Sequence, residues 1–435
     1  MQKSESEERI MDSNSTEIIF TDLNGRIRRL PINPKNIKSI AEVGIGFDGS
    51  SVAGLATVDK SDRILIPVMD SLKTIEIKGR KKSIFVGTIH NEHGQRASTD
   101  SRYILEKTVQ EAYDEFGFQF LASPEYEFFL FKQDQYHKDL NTDNAGYCDA
   151  DPGDQGENVR NHIINILTDC GFSFEKAHHE VSPSQHEINF ECSPPVLASD
   201  RTLLFNYVTH MVASEHGYHA SFMPKPFDAQ NRNAQHIHLS MQDKEGRNLF
   251  YDENDEYGIS AVARRFIAGL IKYARQTSII MASTFNSYKA YVIEREAPVL
   301  VGWGPRNRTS MVRIPYCTSP QATRLELRSP DPAGNIYLQM AAFIRMGLEG
   351  VRENLDCNSP DTGKAYSPSH ERKIWDERFL PKSMFEALVE AERSVFLKEM
   401  LGDGMYDNLI QIKTAEWEDH RTHVTQREFE KYLPV

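Results

Sequence analysis

The chain has 435 residues, 39% hydrophobic and 26% charged, a globular composition with room for more than one domain. Its formal charge of −13 excludes nonspecific binding of nucleic acid or anionic membrane as a main activity, so an anionic substrate needs a local arginine cluster or a metal. No apolar run reaches bilayer length, the N-terminus MQKSESEERIMDSNS is polar, and five scattered cysteines form no CxxC pair; together these predict a cytoplasmic protein with no membrane span, disulfide framework or thiolate zinc site.

Residues 1–14 read as a mobile polar arm. From there EIIFTDLNGRIRRLPI predicts two strands around a turn at Asn24-Gly25, and RILIPVMD and KSIFVGTIH predict further strands, so residues 15–97 form a small β-rich domain. A helix begins near Thr99–Ser101 and carries Ile104, Leu105, Val109, Ala112, Tyr113 and Phe116 as a stripe, with Gly117 placed to end it. Strands and helices then mix through residues 98–435, the polar stretch from Lys132 to Glu157 being a loop. Ser383 with Glu386 makes a capping box for one helix running through about Lys398.

Four segments place polar residues two apart in strand-like surroundings, which puts their side chains on one face. SPEYEFFLF aligns Glu125 and Glu127; NAQHIHLSM aligns His236 and His238; ATRLELRSPDP aligns Arg324, Glu326 and Arg328. HHEVSPSQHEINF reads as a hairpin with Glu180 and Glu187 on its arms. Any one pair has a plain reading, the solvent face of an edge strand or a satisfied histidine pair. Their company changes the balance, because carboxylates in such apolar strands converging on one sheet require cations. A carboxylate-rich set suits Mg²⁺ or Mn²⁺ rather than zinc, and hard cations with open positions are typical of nucleotide phosphate chemistry. The matching anion clamp is WGPRNRTSMVRIP, with Arg306, Arg308 and Arg313, joined by Arg324. GIGFDG at 44–49 matches a dinucleotide fingerprint but opens no helix, and no GxxxxGK[ST] occurs, so ATP would not sit in a P-loop.

Taken in order, FDGSSVAGLATVDKSD, SPEYEFFLF, HHEVSPSQHEINF, FMPKP with HIHLS, NSYK…EAPVLVGWGPRNRTSMVRIP and RLELRSPDPAGNIY resemble the signatures of type I glutamine synthetase, from about residue 16 to the C-terminus. The resemblance implies an α+β fold: a small N-terminal β-grasp domain and a large α/β catalytic domain on an antiparallel-rich curved sheet. It implies a homo-oligomer, a double hexameric ring in which neighbouring subunits complete each site. It further implies an ATP-dependent ligase that phosphorylates a carboxylate and lets ammonium displace the phosphate, with two or three Mg²⁺ or Mn²⁺ per site. Glu127, Glu180 and Glu187 would hold one metal; Glu125, His236 and Glu326 the second. His238, Ser240 and Arg324 would contact nucleotide, and Arg308 and Arg313 the transferring phosphoryl. Asp48 and Ser51 would line the ammonium site, with Asp48 as base, and Glu296 would sit on the closing flap. Asn231 and Arg328 would bind the acid substrate.

The chain also departs from the pattern. The glycine-rich loop is FDAQNRNAQ, with Arg232, Asn233 and Ala234 in place of small residues; NSYKR is NSYKA, ending in Ala290; the flap lacks its Pro-Gly; and Gln321 stands where a lysine near the nucleotide is common. Either Arg232 replaces the lost arginine in binding glutamate, giving a glutamine synthetase, or the enzyme uses another acid or amine, as a γ-glutamyl-amide synthetase does. A non-catalytic nucleotide-binding relative is a third reading, opposed by the retained metal-ligand pattern.

Overall fold

The computed structural model describes residues 8, 10–132, 143, 145–150, 153–293, 297–366 and 373–434. Alternation of apolar residues builds the first sheet from β1 (Ser15–Thr21), β2 (Ile27–Ile32), β3 (Ile45–Asp48), β4 (Asp62–Pro67), β5 (Lys73–Ile77) and β6 (Arg80–His90). Its order is β2-β1-β6-β4-β3, with β5 pairing to β6 and the β1–β6 pair parallel. Ile18, Phe20, Leu65 and Phe85 fill its core. The Asn24-Gly25 turn closes the first hairpin with Gly25 at φ +81, and a side chain there would strike the Gly334 carbonyl, 2.4 Å from the Cβ position. This close approach seats the small sheet on the rest of the chain, together with the Asn335 amide, which donates to the Asp22 carbonyl at 2.9 Å. The 44–49 glycine run spans the end of a short helix and β3, and only a single 3-10 turn follows, so no helix N-terminus faces it.

The helix Ser101–Phe116 starts at Asp100, whose carboxylate accepts from the Arg102 N–H, and ends at Gly117 in the left-handed region. Its Arg102 forms a buried two-pronged pair with Asp200 (2.9 and 3.0 Å), tying it to the long helix Pro195–Glu215. The remaining strands are β7 (Gln119–Pro124), β8 (Tyr126–Lys132), β9 (Phe174–His179), β10 (Gln185–Phe190), β11 (Tyr218–Ser221), β12 (Ile237–Gln242), β13 (Trp303–Pro305), β14 (Val312–Ile314) and β15 (Leu325–Leu327). They form two sheets, β11-β8-β10-β9 and β13-β14-β15-β12-β7, antiparallel except for β13 with β14. Helices Ala261–Tyr273 and Ile336–Arg352 pack behind them, close enough that Gly269 and Gly350 meet backbone to backbone.

Two expectations are corrected. The metal-ligand candidates do not converge on one sheet: SPEYEFFLF is cut at Glu125, with β7 in one sheet and β8 in the other. The chain at 125 pairs its N–H with the His236 carbonyl (2.9 Å), and there the strand swings from one set of partners to the next. Also, the helix from Ser383 stops at Glu392, and a second one, Val395–Leu401, begins at a Ser394 cap. Ser383 does accept from the Glu386 N–H, but Glu386 reaches back to the Lys382 N–H rather than to its own cap residue. Among the described residues no helix is long and apolar enough to cross a membrane.

Candidate active site

The junction at Glu125 brings the two sheets' polar faces together. Glu127 on β8 stands opposite Glu187 on β10, and Glu187 stands opposite His178 on β9; Glu180 follows β9 directly. From the other sheet come His236, just before β12, and Glu326 on β15, opposite His238. All six predicted ligands line one cavity of about 240 Å³, with Asn231, Arg232, Arg308, Arg313 and Arg328 in its walls. A second cavity of about 600 Å³ opens beside it, lined by His238, Ser240 and Arg324. Glu125 and Arg313 border both.

The donors fall into two tight groups, each with its ligand atoms within 4.8 Å of one another: Glu125, His236 and Glu326, and His178, Glu180 and Glu187. The first is the set expected. In the second, His178 stands in the tight group, while Glu127 Oε2 is drawn aside by the Ala234 N–H (2.7 Å) and the Gln185 amide (3.2 Å). His178 was not among the candidates read from the sequence; its position two residues before Glu180, on the same strand face, was the available signal.

The charges are balanced unequally. Burial and the neighbouring Glu180 and Glu187 push Glu127 well above the usual carboxylate range, and burial with Glu187 raises Glu180 to about 7. Burial would raise Glu125 too, but His236 (2.7 Å) and His238 (2.9 Å) donate to it and hold it well below. Glu326, against its burial, is brought to about 2 by His238, Arg328 and His236. The group holding Glu180 therefore carries more negative charge than the neighbouring His178 offsets. His236 Nε2 is buried with no hydrogen-bond partner among the described residues. A divalent cation fits both deficits, neutralising packed carboxylates and accepting an idle imidazole lone pair.

Comparison with known proteins identifies the family. Residues 13–92 match the family model for the glutamine synthetase β-grasp domain, and residues 98–432 that for the glutamine synthetase catalytic domain. The chain belongs to the glutamine synthetase family. It is 36% identical over 419 residues to the glutamine synthetase of Clostridium saccharobutylicum, covering 95% of this chain and 94% of the relative. It is 34% identical over 433 residues to that of Thermotoga maritima, covering 98% of both. A solved structure described as a GmaS/ADP complex is 29% identical, covers 100% of both chains and superimposes with a TM-score of 0.89. Members of the family are ATP-dependent ligases that use a divalent metal, and this chain is an enzyme of that class.

Within this glutamine synthetase family framework the remaining predicted residues divide. Arg328 is buried and shares Glu326 with Arg313, each guanidinium on one carboxylate oxygen. Arg232 points inward: its guanidinium caps the backbone carbonyls of Arg328, Ser329 and Pro330. The Nε atoms of both arginines are buried without a partner among the described residues. Ala290 is buried and absent from the cavity wall. Arg324 donates from Nε to His238 Nδ1 (3.2 Å), leaving the His238 proton on Nε2 for Glu125. Arg306 is a correction: at φ +56 it lies over the Tyr316 ring, on neither cavity. Asp48 and Ser51 are bonded to one another (2.8 Å) on the small sheet, and neither lines the cavities of their own chain. Glu296 lies outside the described residues.

Proposed function

We propose that the enzyme joins glutamate and ammonium at the expense of ATP, by way of a γ-glutamyl phosphate, to give glutamine. The observation that carries this reading is the shared border of the two cavities, Glu125 and Arg313, across which a phosphoryl group can pass from a nucleotide to a carboxylate. On this reading Arg328 holds the substrate's carboxylate in the smaller cavity, and Arg232, inward and buried, supplies the charge that Ala290 cannot. Asn231 lines the same cavity and hydrogen-bonds the amino acid. His238, Ser240 and Arg324, which line the larger cavity, seat the nucleotide. Arg308 and Arg313 offset charge on the phosphoryl group in flight.

Mg²⁺ or Mn²⁺ held by Glu127, Glu180 and Glu187 and by Glu125, His236 and Glu326, two or three ions in all, would supply charge neutralisation on the phosphates. His178 belongs with the first of these sets on its position. Asp48 and Ser51 act in a neighbouring subunit's site, where Asp48 takes the proton from ammonium; a double hexameric ring would satisfy that need. Glu296 closes over the acyl phosphate and keeps water out. We place the β-grasp domain at 15–97 and the catalytic domain at 98–435, and the enzyme in the cytoplasm, where its five free cysteines suit a reducing compartment.

A second reading has its own support: among the described residues no side chain of 286–290 reaches the cavity, so the acid or the amine can differ from the family's usual pair. Phosphate release from Mg-ATP separates them. Release that requires both glutamate and ammonium, with glutamine as product, is expected. Release with another amine or acid, and none with that pair, would replace the first reading by the second. No release with any pair would remove both.

A further inference from the structure

We propose that Lys176 is a phosphate-contacting residue, its ammonium meeting the phosphate chain of the nucleoside triphosphate at the passage between the two cavities. This rests on the reading of the larger cavity as the nucleotide site. Strand alternation puts Lys176, His178 and Glu180 on one face of β9 and its continuation. In register, Lys176 stands opposite Asn189, which lines the larger cavity, while His178 stands opposite Glu187, which lines the smaller. Lys176 is thus one step along the strand from the carboxylate cluster, and with Glu125 and Arg313 it completes the set bordering both cavities.

The charge inventory of the larger cavity gives this position its use. Three carboxylates, Glu125, Glu175 and Glu191, face it, against Lys176, Arg313 and Arg324. Arg313 is engaged with Glu326 (2.6 Å), and Arg324 spends its guanidinium on His238 Nδ1 and the Ala322 carbonyl, both at 3.2 Å. The Lys176 ammonium is exposed and has no ion pair or side-chain hydrogen bond among the described residues. At the far side Gln321, where the family pattern suggests a lysine, is neutral and donates to the Gly246 carbonyl (2.9 Å). Beside the divalent cation, a polyphosphate entering here meets three carboxylates and two arginines already engaged, and a lysine on a flexible stem is suited to answer its charge.

The test compares binding of AMP and of the nonhydrolysable triphosphate analogue adenylyl imidodiphosphate by calorimetry, with Mg²⁺, in wild type, Lys176→Ala and Lys176→Arg. Lys176→Ala should weaken the analogue about tenfold, leave AMP unchanged, and be largely rescued by Lys176→Arg. A structural role for Lys176 would weaken both ligands together, and that result overturns the proposal. So does equal affinity of wild type and Lys176→Ala for the analogue. A wild type that binds neither ligand overturns the nucleotide reading itself, and the assignment of Lys176 with it.

Discussion

Glu180→Gln is the substitution whose effect the structure quantifies best. In metal-free protein the Glu180 carboxyl is raised by burial and by Glu187 from 4.5 to about 7. The folded protein keeps this proton to about pH 7 while the unfolded chain releases it near 4.5, so the associated stability is full below 4.5 and lost as pH rises through 7. The whole difference is worth about 3 kcal/mol, of which about 2 kcal/mol is lost between pH 5.5 and pH 8. Glutamine keeps the shape and removes the titration. Thermal unfolding with chelator should therefore show a wild type that loses several degrees between those two pH values and a Glu180→Gln variant that loses clearly less. Adding Mg²⁺ should stabilise wild type more at the higher pH, because the cation takes the place of the missing proton, and this pH-dependent gain should be clearly smaller in the variant, whose second donor group of Glu125, His236 and Glu326 is intact. Wild type and variant with the same pH dependence in chelator would refute the account of a charge-starved cluster.

Arg328→Ala and Arg232→Ala should each raise the KM of the acid substrate about tenfold to a hundredfold while leaving the KM of ATP near its wild-type value, as initial-rate kinetics would show. An Arg232→Ala variant with an unchanged acid KM would assign that side chain to backbone capping alone, through the carbonyls of Arg328, Ser329 and Pro330. If neighbouring subunits share each site, Asp48→Asn and Glu326→Ala proteins, inactive apart, should recover about a quarter of wild-type activity when co-assembled in equal amounts. No recovery in mixed assemblies would place Asp48 in the site of its own chain.

How much of this could be read from the residues follows from the range of the interactions involved. Local rules fixed the hairpin at Asn24-Gly25 and the helix from Asp100 to Gly117, because turn geometry and capping act over a few residues. They failed at Glu386, where the side chain chose Lys382 over the cap and the helix stopped early at Glu392. They also misled at Arg306, whose residue type matched an anion clamp while its backbone turned it onto Tyr316.

The sequence by itself determined which residue types were present to hold cations and phosphate, and the order and spacing that identify the family, since these depend on chemistry and local period alone. Tertiary structure alone decided that the strand at Glu125 passes between two sheets, that His178 rather than Glu127 completes a tight donor group, and that Arg232 turns inward. Each depends on partners far away in the chain, where register across strands and competition for buried carbonyls set the side-chain direction, and no short-range pattern encodes those contacts.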